Sequence, residues 1–361
     1  MADKLNVGII GVGNISPAYI KGCRAFDILN LVGSADMNTA RNKEVAAEHN
    51  MKAYDSVDSL LADPGIDIVI NLTVPLVHAE VSQKIIAAGK HVYTEKPLSV
   101  LLDDARALLD AANAKGLRVG SAPDTFLFSQ HQSARKLLDD GAIGKPVAAV
   151  GFMAGRGPEG WHPNPDFFYK VGGGPMLDMG PYYVTCLINL LGPVKAVTGS
   201  TRISYPERVA KDGHHIKVDV PTHVTGTIEF VSGAVATLIM SFDVMGHNLP
   251  QMEVYGERGT LRIPDPNGWN PREIMLFNGE WHTESEVYRT EWARGIGVAD
   301  MAYGIIYGRP HRASGALAFH ALEVMHAFGE ASNTGKAVEI QSTIERPTLM
   351  PVGLPERQLD K

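Results

Sequence analysis

Short apolar runs alternate with helix-forming stretches through the first third of the chain. "LNVGIIGVG" reads as a buried strand running into a glycine-rich turn, and "LNLVGSAD" as a second strand ending at Asp36. "ARNKEVAAEHN" is rich in helix formers. "SVDSLLADPG" reads as a short helix capped by Ser56 and ended by Pro64-Gly65. "IDIVINLTVP" is an unbroken apolar run, the pattern of a strand buried on both faces. The helix "VHAEVSQKIIAAGK", the strand "HVYTEKP", the helix "SVLLDDARALLDAANAKG" and the strand "LRVGSA" follow. The alternation β-α-β-α-β-α-β-α-β predicts a parallel sheet with helices on both faces.

Near residue 122 the pattern changes. "DTFLFSQHQSARKLLDDGAIG" predicts a helix, "PVAAVGFMAG" a strand, and "PMLDMGPYYVTCLINLLG" a helix after a long loop over 155–174. Longer strands then alternate around hairpin signals, in "THVTGTIEFVSGAVATLIMSF" at Ser232-Gly233 and in "REIMLFNGEWHTES" at Asn278-Gly279. Two helices, about 298–308 and 314–333, come near the C-terminus. The expectation is an α/β domain over 1–122 followed by an α+β domain over 123–361. The length of 361 residues agrees with two domains.

Composition narrows the function. The net charge is −7 and no Lys/Arg block exists, which argues against nucleic acid as a partner. No apolar run is long enough for a membrane span, and "MADKLNVGIIGVG" has no signal-peptide pattern, so a cytoplasmic location is expected. Cys23 and Cys186 belong to no CxxC or Cys/His cluster, so neither zinc nor a disulfide framework is expected, and no metal.

The turn in "GIIGVGNISPAYI" sets Gly11-x-Gly13 between a strand and a helix. That context suits a pyrophosphate at the helix N-terminus, with contacts expected at Gly11, Gly13, Asn14 and Ile15. Ser16 replaces the third glycine of the fingerprint and is small enough for close packing. Asp36, ending the second strand, can bind both ribose hydroxyls and repel a 2′-phosphate, so NAD is preferred over NADP. Arg41 reads as an exposed helix residue.

Glu95-Lys96-Pro97 ends the strand that starts at His91. In a doubly wound sheet, ligands bind at the carboxyl ends of the strands, so Lys96 points toward the nicotinamide crevice and can serve as a general base. From this motif alone, a loop ion pair is an equal reading. "GGGPMLDMGPYY" tips the balance. Asp178 and Tyr182 stand four apart on a predicted helix, hence on one face, after Gly172-Gly173-Gly174, where the backbone can pass close to a cofactor. Pro181 predicts an irregularity there.

Together these motifs resemble the glucose–fructose oxidoreductase/inositol dehydrogenase (Gfo/Idh/MocA) family, over nearly the whole chain. The resemblance implies a Rossmann domain followed by an α+β domain with a large, open, mostly antiparallel sheet that forms a homodimer or homotetramer interface. It implies Lys96 as the catalytic lysine, a non-trans Lys96-Pro97 bond, and Asp178 as the acid that orients substrate and lysine. Tyr182 stands where the family's usual pattern has His, which leaves open whether Lys96 or Tyr182 carries the proton. Thr73, Pro75 and His78 fall where members line the nicotinamide side, Glu95 of the EKP motif is a further expected cofactor contact, and His78 also reads as a helix-start residue. Asp124 stands where many members have Asn and is a cofactor or substrate contact. In the loop "AGRGPEGWHPNPDFFYK", Trp161 offers a face to a sugar ring, and His162, Asn164 and Lys170 offer polar groups; Phe167, Phe168 and Tyr169 read as packing residues. His311 and Arg312 either reach the site or belong to a helix start capped by Ser314.

The function expected is hydride transfer between NAD and a secondary hydroxyl of a sugar, glycoside or polyol. Two alternatives stay open: an NAD-dependent glycosidase that oxidises its sugar transiently, and a non-catalytic nucleotide-sensing regulator.

Overall fold

The computed structural model describes residues 4–268 and 273–361, so Arg272, the start of one expected hairpin, lies outside the described residues. The chain divides into two compact units. One comprises Met1–Phe128, Glu291–Phe319 and Met350–Lys361; the other comprises Ser129–Thr290 and His320–Leu349.

In the first unit, strands β1 (Leu5–Ile10), β2 (Leu29–Ala35), β3 (Lys52–Ala53), β4 (Ile68–Asn71), β5 (His91–Thr94) and β6 (Val119–Ser121) alternate with helices α1 (Ser16–Cys23), α2 (Thr39–Glu48), α3 (Val57–Leu61), α4 (His78–Ala87) and α5 (Leu102–Ala114). The strands form one sheet in the order β3-β2-β1-β4-β5-β6, and every pair is parallel. Every residue of β4 is buried, as its unbroken apolar run requires. Ser56 caps α3 in a reciprocal pair with Ser59. The strand order reverses direction between β1 and β4, which opens a crevice at their carboxyl ends.

The second unit holds α6 (Ser129–Asp139), β7 (Pro146–Ala154), α7 (Gly174–Asp178), α8 (Gly180–Leu191), β8 (Val194–Arg202), β9 (Glu207–Val209), β10 (His215–Lys217), β11 (His223–Phe230), β12 (Val235–Ser241), β13 (Met252–Gly256), β14 (Thr260–Ile263), β15 (Ile274–Phe277) and β16 (Trp281–Glu284). After α9 (Ile296–Tyr307) and α10 (Gly315–Thr334), β17 (Val338–Glu339) completes a nine-stranded sheet, ordered β16-β15-β14-β13-β7-β12-β11-β8-β17. It is antiparallel except where β7 runs parallel to β12. Both expected hairpins form, β11–β12 with Gly233 at φ 89 and β15–β16 with Gly279 at φ 122. The β9–β10 ribbon was not expected. Among the described residues no helix is long and apolar enough to cross a membrane.

The first unit extends beyond the expected 1–122 because two late segments return to it. α9 packs against α1 and β6. Its Asp300, fully buried, pairs with Arg312 at 2.5 Å and Arg309 at 2.8 Å. Arg312 also grips Asp360 at 2.7 Å, and Arg357 pairs with Asp27 at 2.7 Å. His311 is held by the Val119 carbonyl at 3.1 Å. His311 and Arg312 therefore fasten the fold.

Removing one partner of a buried ion pair leaves a charge without compensation. Arg312→Ala should lower stability by the smaller end of about 3–5 kcal/mol, since Arg309 still faces Asp300. Denaturant melting checks this; an unchanged midpoint contradicts the fastening role.

Candidate active site

The nucleotide cleft starts where β1 ends. Gly11 has φ +93, and a Cβ there would lie 2.7 Å from the Leu72 carbonyl oxygen, so only glycine fits. Gly13 is exposed, and a Cβ there would meet no atom within 4 Å, which leaves open space for a phosphate. Asn14 is exposed and Ile15 is the N-cap of α1, whose amides no side chain caps. Ser16 is fully buried and donates its hydroxyl to the Gly13 carbonyl at 2.9 Å, so its polar group is satisfied in the tight packing that the substitution requires.

Asp36 is fixed by two backbone amides. Val12 N–H donates to Oδ2 and Asn38 N–H to Oδ1, each at 2.7 Å. Each oxygen keeps a lone pair for a ribose hydroxyl. Arg41 turns to Glu44 at 3.3 Å. A cleft of about 560 Å³ is lined by Gly11, Gly13, Asp36 and Thr73, with Val57 and Val81 among its apolar residues. A glycine turn at a helix N-terminus, an anchored carboxylate and an apolar slot suit an adenine dinucleotide.

Asn71, buried at the end of β4, shapes the next turn. Its Oδ1 accepts from Thr73 N–H at 3.2 Å and Thr73 Oγ1–H at 2.7 Å. Its amide nitrogen donates to the His78 carbonyl and Ser82 Oγ, each at 3.0 Å. Pro75 is half-buried in the short turn Pro75–Val77. His78 opens α4 and is buried; Nδ1 lies 2.8 Å from the Pro97 carbonyl and Nε2 2.9 Å from the Thr73 carbonyl. Burial pushes its pKa down.

Lys96 is half-buried just beyond β5, and the Lys96-Pro97 bond is cis, as the family resemblance implies. Glu95 turns inward. Its carboxylate accepts from Tyr19 Oη–H at 2.7 Å and Lys96 N–H at 2.9 Å, with Arg294 3.9 Å away. Asp124 is fully buried, and its Oδ2 accepts from the amides of Gly295 at 2.8 Å and Gly297 at 3.1 Å, at the start of α9. Burial raises its pKa. Both acids, expected as ligand contacts, anchor backbone.

In the second unit, the three glycines answer to the chain itself. Gly172 and Gly174 have φ 89 and 81, and a Cβ on Gly173 would lie 2.4 and 2.6 Å from the carbonyl oxygens of Phe167 and Phe168. The single helix expected across Asp178 and Tyr182 is two helices. Met179 ends α7 and Pro181 sits in the first turn of α8, where its missing N–H costs nothing. Asp178 is the half-buried last residue of α7, and Tyr182 is buried on α8, so the shared-face argument does not hold.

Trp161 is 70% exposed and meets His162 edge-on at 5.4 Å. His162 rests on Phe167 and Phe168 at 5.5 and 5.1 Å. Phe168 and Tyr169 join a core with Ile216, Val218 and Phe242, while Phe167 is exposed. Arg208, whose place in the sequence carries no signal of this role, ties Glu159 of the loop, at 3.2 Å, to Asp243 beyond β12. Asn164 donates its N–H to His162 Nδ1 at 3.0 Å, and Lys170 pairs with Asp219 at 2.9 Å. His214 bridges Asp166 at 2.9 Å and Asp212 at 2.6 Å.

A family model described as "Oxidoreductase family, NAD-binding Rossmann fold" matches residues 5–122, and the "GFO/IDH/MocA C-terminal domain" matches 131–262. The chain belongs to the Gfo/Idh/MocA oxidoreductase family. It is similar to 1,5-anhydro-D-fructose reductase of Ensifer adhaerens, 28% identical over 93% of this chain and 98% of that one. It is also similar to myo-inositol 2-dehydrogenase of Thermotoga maritima, 26% identical over 71% of this chain and 74% of that protein. A solved levoglucosan dehydrogenase in complex with NADH shares the fold, with TM-score 0.81 and 22% identity over 95% of this chain and all (100%) of that one. The protein is an NAD-binding oxidoreductase.

Two outcomes follow. A hydrogen bond to a charged group contributes about 1.5–3 kcal/mol, so Asp36→Ala should weaken NAD binding roughly 10- to 100-fold and narrow the gap to NADP in calorimetry. Equal loss for both cofactors contradicts its role. The hydrogen bonds to Asp166 and then Asp212 raise the His214 pKa, and the Asp212 pKa is lowered by His214. The raised His value adds stability below about pH 6.5, lost as pH rises through the folded value; the lowered Asp value adds stability lost in acid. Amide exchange in 158–170, corrected for intrinsic rate, should therefore be slower at pH 6 than at pH 8.5, and His214→Ala should erase the difference.

Proposed function

We propose that this protein oxidises a secondary hydroxyl of a sugar, glycoside or polyol reversibly, with NAD rather than NADP as the hydride acceptor. The observation that carries the reading is Lys96, half-buried at the carboxyl end of β5 in the sheet that bears the nucleotide cleft. Similarity to a 1,5-anhydro-D-fructose reductase and a myo-inositol 2-dehydrogenase supports a polyhydroxylated substrate. NAD, when bound, supplies the hydride acceptor. Lys96, as the neutral amine, takes the hydroxyl proton while the carbon gives up its hydride and becomes a carbonyl. Asp178 accepts a hydrogen bond from a substrate hydroxyl. Tyr182 is a hydrogen-bond partner in proton transfer, and Trp161 and His162 receive the sugar ring. The dinucleotide contacts are Gly11, Gly13, Asn14, Ile15, Asp36, Thr73 and Pro75. His78 and Glu95 act behind them.

The same reading includes a cytoplasmic homodimer or homotetramer assembled through the nine-stranded sheet. The alternating exposed and buried positions of β12 support it, because they leave one face open.

A panel of sugars, glycosides and polyols, followed by NADH absorbance and mass spectrometry of products, tests the reaction. Lys96→Met should lower kcat about 10²- to 10⁴-fold while NAD still binds. Released sugar without net NADH points to the glycosidase instead. No turnover on any member, or full activity of Lys96→Met, overturns the proposal.

A further inference from the structure

We propose that His78 is a positioning residue whose two ring nitrogens separately hold the nucleotide-cleft turn at Thr73 and the loop at Lys96-Pro97. The proposal rests on the reading of Lys96 as the base only for its consequence in catalysis.

The geometry is specific to the ring. Its side chain is buried, Nδ1 faces the Pro97 carbonyl at 2.8 Å, and Nε2 faces the Thr73 carbonyl at 2.9 Å. With both nitrogens occupied by backbone, none is left for acid–base work on a ligand. The residue itself is immobilised, because the Asn71 side-chain amide donates to its carbonyl at 3.0 Å. Thr73 is gripped from the other side by Asn71 Oδ1. Thr73 lines the cleft with Gly11, Gly13 and Asp36, while Pro97 directly follows Lys96. One imidazole therefore spans the binding half and the chemical half of this unit. A neutral ring carries one N–H, so its two tautomers serve the two carbonyls in turn and the imidazolium serves both. Glu95 and Lys96 are the charged groups that act on it, one favouring and one opposing the proton.

The two contacts can be separated. An Asn amide nitrogen takes the place of Nδ1, and a Gln amide nitrogen the place of Nε2. His78→Asn keeps the Pro97 contact and loses the one to Thr73. His78→Gln does the reverse. Two readouts need no substrate: the NAD Kd from calorimetry, and the acetylation rate of Lys96 by trace acetic anhydride across pH, read by mass spectrometry. His78→Asn should raise the NAD Kd about three- to tenfold, more than it alters Lys96 labelling. His78→Gln should change the rate or apparent pKa of Lys96 labelling by a similar factor, more than it alters Kd. Identical behaviour of the two variants, or the reverse assignment, overturns the proposal, as does wild-type behaviour of both. Thermal melting of each variant separates these effects from loss of folding. Turnover by Lys96→Met would sink the base reading alone, since neither readout depends on which group takes the proton.

Discussion

The amide of Asn71 holds four hydrogen bonds at the end of a strand buried at every position. An amide sealed from water must have its partners supplied by the protein, and here all four lie in the turn and helix that follow. That requirement fixes the chain from Thr73 to Ser82, and through His78 it reaches Pro97. The Asn71 main chain adds a further tie, since its carbonyl accepts from the Glu95 amide at 2.9 Å. The nucleotide turn and the Lys96 loop thus share one rigid support.

Much of the first unit is legible because its signals are local. Buried parallel strands write continuous apolar runs, Ser56 writes a cap, and Gly11 a turn that no other residue can make. The hairpins at Gly233 and Gly279 are equally local. Non-local facts leave less trace. β7 lies beside β12 although they are distant in sequence, and nothing in either strand states that the pairing is parallel. Asp300 and Arg312 look like surface charges until the fold buries them as a pair with the half-buried Asp360 beside them. Asn71 did carry a signal: an amide ending an apolar run has to find partners.

The candidate site was legible in position more than in role. Gly11 and Lys96 follow strands, as the sequence pattern predicts, while Asp178 and Tyr182 fall on two helices instead of one. Glu95, however, spends its oxygens on Tyr19 and the Lys96 amide, and Asp124 commits Oδ2 to the amides of Gly295 and Gly297 while its buried Oδ1 has no hydrogen-bond partner among the described residues. An acid near a cleft invites a ligand role, but a buried carboxylate must first be solvated by the protein. The glycines before α7 teach the same lesson. Their freedom serves two left-handed residues and a close passage over the carbonyls of Phe167 and Phe168. The break at Met179 follows from Pro181, whose sequence signal was real but placed only the irregularity.

The first unit draws on both extremes of the chain, from the β1 strand to the tail that ends in the Arg312–Asp360 pair. Domains commonly fold in order as they leave the ribosome. Here the glycine turn and the Lys96 loop emerge early, yet their unit lacks its last segment until residues 350–361 are made. The second unit, although encoded in the middle, has all its residues available first. During synthesis the cofactor-binding unit is therefore completed after the second unit, and a chain interrupted before Met350 would lack the buried Met350 and Leu359 that belong to it.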